Sequence, residues 1–195
     1  MTIHTRSDAT AGETRPAGTP MTVLAWALAI GSLAFAIVNV VFEATGRFDE
    51  GPWADYSSAI SIINWFVFVV KVVGAGVALL SVTSRPPLAP RVVNFSIWGA
   101  AGVLSVYALG SVGQAIGLAL GPDAVEQING AGILYVTLFF LAAAGFVILA
   151  SSHTRRFGIG RAPAIAGAVG GVGLLGFILL ILPAILTALG VMPSP

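Results

Sequence analysis

Lys71 is the residue whose type and position raise the sharpest chemical question. It stands 14 positions after Ser57 and 11 before Val82, inside one long apolar block, near the centre of a stretch where a charged side chain costs a few kcal/mol to insert into a bilayer. An ammonium there can hold an anion, an ion site or a carbonyl-bearing ligand, or it can snorkel along its own stem and bond to nearby carbonyls. Depth counted at about 1.5 Å per residue puts Tyr107 level with Lys71, where its hydroxyl can accept a bond or its ring can lie beneath the charge. Asn39, Asn64 and Gln114 lie about 9 to 12 Å outward of their block midpoints by the same rise, and Thr137 lies somewhat deeper. One reading is a polar cavity open to the outer side with Lys71 at its floor, making Lys71, Tyr107, Asn64, Gln114 and Asn39 a ligand-binding set. The other is polar contact between helices, since amides and hydroxyls commonly cross-bond neighbouring membrane helices.

These residues are carried by apolar blocks. Of 195 residues, 57% are hydrophobic and 9% charged, whereas soluble domains carry about a quarter charged residues. Five blocks are long enough for a hydrocarbon core of about 30 Å: residues 21–42, 57–82, 92–120, 131–150 and 162–189. Barrel strands are about 10 residues long with alternating faces, so the expected fold is all-α, a polytopic integral membrane protein of about five transmembrane helices. Residues 1–20 read as a disordered tail, 21–190 as the helical domain and 191–195 as a short outer tail.

Charge between the blocks predicts orientation. Arg6, Arg15, Arg85, Arg91, Arg155, Arg156 and Arg161 fall on one side and Arg47 alone on the other, beside Glu43, Asp49, Glu50, Asp55, Asp123 and Glu126. The positive-inside rule then makes the N-terminus cytoplasmic and the location a cell inner membrane, crossed several times. Glu43 lies about 20 Å from the depth of Lys71 when the blocks are aligned by their midpoints, too far for a direct pair.

Two small-residue motifs predict close helix approach: Gly113 with Gly117 on the third block, and Gly167 with Gly171 on the fifth. Pro183 removes a backbone donor and predicts a kink in the fifth block. His153, Arg155 and Arg156 read as a basic collar for anionic headgroups.

Several function classes drop out. A net charge of +1 without a basic run argues against nucleic acid, and the absence of cysteine removes disulfides and thiol chemistry. The only histidines, His4 and His153, have no nucleophile or metal partner in sequence, so neither an enzyme nor a cofactor or metal is expected. The stretch Ser96 to Leu120, SIWGAAGVLSVYALGSVGQAIGLAL, and His153-Thr154-Arg155-Arg156 after the next block resemble small uncharacterised bacterial membrane proteins of four or five spans. That resemblance implies the class and no specific role. The expected function is an accessory or structural component of a membrane assembly, in contact with lipid and with a membrane-protein partner or further copies of itself. The alternative is a transporter or binding protein for a small solute or lipid, built on the Lys71 cavity.

Overall fold

A backbone removed from water must pair its own polar groups, and an unbroken apolar run does so within a helix. The computed structural model, which describes residues 16–119 and 130–192, shows such helices throughout. Helix α1 (Thr19–Ala44) begins on a first-turn proline and stops at Gly46, whose φ of +60° takes the left-handed conformation that glycine adopts without strain. A 3-10 turn (Gly51–Tyr56) leads into α2 (Ser57–Val82), which ends in extended backbone at Thr83 ahead of Pro86 and Pro87. Helix α3 (Pro90–Ala119) is followed by α4 (Gly130–Arg156). The last rod comprises α5 (Arg161–Gly176), a π-helical segment (Phe177–Ile181) and α6 (Leu182–Ala188).

Five of these rods are long and apolar enough to cross a bilayer. Their bounds follow the hydropathy blocks except in α4, which continues through His153 to Arg156. Apolarity ends at Ala150, but the helix persists because the polar side chains of its last turns find acceptors on neighbouring helices. The discontinuity expected at Pro183 takes the form of the π segment just before it, which leaves the proline in the first turn of α6, where its missing N–H is no loss. The residues read as the N-terminal tail up to Arg15, the connection with Asp123 and Glu126, and the final Pro193 to Pro195 lie outside the described residues.

The rods alternate in direction, so the described charges collect at two ends. Glu43, Arg47, Asp49, Glu50 and Asp55 lie at what is called here the acidic end, and Arg85, Arg91, Arg155, Arg156 and Arg161 at the basic end. Helix α1 packs along α2, while α3 packs against both α4 and α5. The buried positions go to small residues, among them Ala25, Ala29, Ala36, Ala75 and Ala78, with Ile97, Phe146 and Leu149 as the larger fillers. Large side chains point outward, with Ile30, Leu109, Ile165, Val169 and Leu180 all more than half exposed. Small residues at these positions let helix backbones approach closely.

Glycine makes the closest seam. Helices α3 and α5 run parallel with Gly99 and Gly102 against Gly167, Ala168 and Gly171; a Cβ at Gly167 would strike the Phe95 carbonyl, and one at Gly171 the Gly99 carbonyl. Gly167 and Gly171 thus lie within this seam. Gly113 and Gly117 do not: both are exposed, with open space where a Cβ would stand. The reason is register, because Gly167 and Gly171 lie near the start of α5 and meet a parallel neighbour near its own start, well short of Gly113.

Candidate functional site

The facing rows of α1 and α2 carry one of two polar clusters in the molecule's described interior. Phe35, Asn39 and Glu43 recur every four residues along α1, so they line one face. Opposite them, Ser61, Asn64 and Lys71 follow at spacings of three and seven along α2, again one face. Antiparallel packing brings the two rows into register as a continuous string of hydrogen bonds.

At its inner end, Lys71 Nζ donates to Asn39 Oδ1 at 2.6 Å and to the Phe35 carbonyl at 3.1 Å. The Phe35 ring lies 5.8 Å from the same nitrogen, within cation–π range. Asn39 Nδ2 donates to the Asn64 carbonyl at 3.0 Å, and Asn64 Nδ2 donates back to the Asn39 carbonyl at 2.9 Å. This reciprocal pair fixes the two helices against sliding, since a shift of one residue breaks both bonds. Asn64 Nδ2 also donates to Glu43 Oε1 at 2.7 Å, and Ser61 Oγ donates to Glu43 Oε2 at 2.7 Å. An ammonium and a carboxylate are therefore joined through two carboxamides, with every member bonded.

Three of the five expected site residues thus converge: Lys71, Asn39 and Asn64. Tyr107 goes elsewhere. Its hydroxyl pairs with that of Tyr135 at 2.7 Å, and its ring packs 4.7 Å from Phe139, which in turn lies 5.4 Å from Phe35. Phe35, not Tyr107, is the ring under the lysine, because α1 rather than α3 faces this side of α2. Gln114 is exposed on α3 and stands apart from the string. Thr137 bonds back to the Ile133 carbonyl within its own helix at 2.8 Å.

Glu43 and Ser61 belong to the string although depth alone had set Glu43 aside. Glu43 reaches Asn64, which lies about 10 Å from Lys71 by the helical rise, half the separation obtained by aligning block midpoints. Helix α2 is displaced along α1, and that displacement is invisible to a count of residues. The available signal was the four-residue repeat of Phe35, Asn39 and Glu43.

At the acidic end the string opens into a cavity of about 210 Å³ lined by Glu43, Asp49, Ser57, Ser58, Ser61 and Phe48. The opposite end has a second polar cluster. His153 is 1% exposed, with Nδ1 2.9 Å from the Ser81 carbonyl and Nε2 3.2 Å from the Pro90 carbonyl. It therefore lies buried between the end of α2 and the start of α3, with one ring N–H to give to either carbonyl, and does not join a headgroup-facing collar. Arg156 caps α2 by donating to the Ser81, Val82 and Thr83 carbonyls, while Arg155 stays exposed. Thr154 Oγ1 accepts from Trp98 Nε1 at 3.0 Å and lies 2.6 Å from Asn94 Oδ1. No family model, curated protein or solved structure matches the chain. The arrangement of its own side chains therefore carries the functional argument. Among the described residues no group of three or more metal-ligating side chains converges, and the one hydroxyl–carboxylate pair of the string, Ser61 with Glu43, lies beside the cavity at the acidic end.

Proposed function

We propose that the chain is a multi-pass membrane protein whose role is structural, as an accessory component of a membrane assembly. The observation that carries this reading is the bonding of Lys71: two of its three N–H donors go to Asn39 Oδ1 and the Phe35 carbonyl, so the charge lies in a helix seam. Buried polar groups in hydrocarbon persist when every partner is satisfied. Interhelical contacts of this kind contribute about 0.6 to 1.7 kcal/mol each. The outward-facing apolar side chains and the small-residue interior support insertion in a bilayer, and the charge segregation supports a cytoplasmic basic end in an inner membrane.

A double-mutant cycle tests this reading. Lys71→Met and Asn39→Leu, measured by thermal unfolding in detergent, are expected to couple by about 0.5 to 2 kcal/mol. Additive effects, together with strong labelling of an Asn64→Cys variant by a water-soluble thiol reagent, would sink it.

The cavity at the acidic end favours a second reading, binding or passage of a small solute that enters beside Glu43 and Asp49. On that reading Lys71→Met leaves the protein inserted and stable while abolishing solute binding or flux, so stability and activity separate.

A further inference from the structure

The α3–α5 seam leaves an open groove on one side. It encloses about 380 Å³ and is walled by Trp98, Gly102 and Val106 of α3, Val147 of α4, and Val169 and Val172 of α5. Its lining is almost wholly apolar and its outer rim is exposed, Val169 at 65%. A small-residue floor with a branched aliphatic rim is the shape that takes a flexible hydrocarbon chain.

What lies at the end of the groove decides the class of occupant. Arg91 precedes Trp98 by seven residues and Gly102 by eleven, so all three share one helical row to within about 20°. Arg161 precedes Ala168, another groove residue, by seven and Val172 by eleven, and shares their row in the same way. Arg155 follows Val147 by eight along α4, at the same end but turned about 80° from that residue's face. Counted at 1.5 Å per residue, the three cationic residues stand about 10 to 12 Å beyond the groove residues, all toward the basic end. All three are exposed, and among the described residues no Asp or Glu lies at that end. Arg156 does not join them because its two terminal nitrogens are held by the α2 carbonyls. Trp98, held by Thr154, sits between the charges and the groove with its N–H toward the polar side, the placement amphipathic rings favour at a membrane interface.

We infer that this groove is a binding site for one anionic phospholipid, with an acyl chain along Trp98, Gly102 and Val169 and the phosphate between Arg91 and Arg161, Arg155 flanking them. The site rests on the membrane reading above. Apolar lining selects a chain and three cations select an anionic head; neither alone requires the other, and here they fall on the same three helices.

The test uses the full chain purified in mild detergent, with bound phosphatidylglycerol and phosphatidylcholine of identical acyl chains compared by native mass spectrometry. Preferential retention of phosphatidylglycerol is expected. Arg91→Gln with Arg161→Gln should weaken it about 25-fold, taking about fivefold for each arginine near a charged surface. Val169→Trp, which fills the groove and leaves the arginines, should also displace the lipid, whereas Leu109→Trp elsewhere on α3 should not. Unchanged retention in the Val169→Trp variant would overturn the groove as the chain site. Arg85→Gln weakening retention as much as the Arg91 and Arg161 pair would reduce the effect to unlocalised charge attraction and overturn the head site. Full competition by soluble glycerol phosphate would do the same for the acyl chain. Release of the protein from membranes by alkaline carbonate would instead remove the membrane reading, and the site with it, an outcome read independently of any lipid.

Discussion

Asn64 is the junction of the polar string, since one amide nitrogen serves both the Asn39 carbonyl and Glu43 while its own carbonyl accepts from Asn39. Asn64→Leu removes the donor to Glu43 Oε1 and to the Asn39 carbonyl, while the Asn39 bond to the residue-64 backbone carbonyl and the Ser61 bond to Glu43 remain, so the expected cost is that of one unsatisfied carboxylate oxygen, about 1 to 3 kcal/mol. Glu43→Gln keeps an acceptor for Asn64 and replaces the oxygen facing Ser61 by an NH2 that the Ser61 hydroxyl can accept from once it turns, so its expected cost is under about 1 kcal/mol, the size of one neutral hydrogen bond. Thermal unfolding in detergent compares the two, and equal losses would show that the charge of Glu43, not its bonding capacity, holds the seam. At this scale the sequence was readable as far as residue type and depth allow. Lys71, Asn39 and Asn64 stand out because polar side chains in apolar blocks need partners. Tyr107 was matched to Lys71 on depth alone, and depth carries no information about helix rotation: the tyrosine points toward Tyr135 and Phe139, and Phe35 takes its expected place.

Helices were the most legible elements, because long apolar runs bounded by glycine and proline leave the backbone few choices. Which helix meets which was not legible. Both glycine motifs have the same spacing, yet only Gly167 and Gly171 find a neighbouring backbone close enough to exclude a Cβ. Gly171→Val is therefore expected to lower stability by several kcal/mol or prevent folding, because the Gly99 backbone cannot withdraw without unpacking α3 from α5. Gly117→Val should leave monomer stability nearly unchanged, with only the small helix-propensity difference between the residues remaining. The measurement is the fraction of monodisperse protein after extraction and its unfolding temperature. A severe defect at Gly117 with a mild one at Gly171 would mean that α3 and α5 pack in a different register.

At the level of the whole molecule, antiparallel succession sorts the described charges into an acidic and a basic end without any long-range design, because each connection need only match the one two places away. The expected topology follows from that sorting. Reporter fusions after Thr83 and Ser152 should signal cytoplasm, and a fusion after Glu50 the opposite compartment. A cytoplasmic signal after Glu50 would reverse the orientation while leaving the packing intact. Charge sorting was fully visible in the sequence, since it depends only on the order of residues along the chain. The lateral arrangement, α3 between α4 and α5 with α1 along α2, was not, because it depends on which rotated faces carry alanine and glycine.

The π segment in the last rod can be read as a correction of phase. Ile178 and Leu186 are both buried, eight residues apart. In an unbroken α-helix eight steps of about 100° would leave them about 80° out of alignment. The wider π turn absorbs one residue, so the two behave as if seven apart, within about 20° of one face. Length and rotation are thus uncoupled at this one place. Loss of a residue between Phe177 and Ile181, with Pro183→Ala to remove the ring that the wide turn accommodates, would leave both side chains facing inward. The same loss between Gly167 and Gly171 would turn a glycine out of its seam and put a side chain against the backbone of α3.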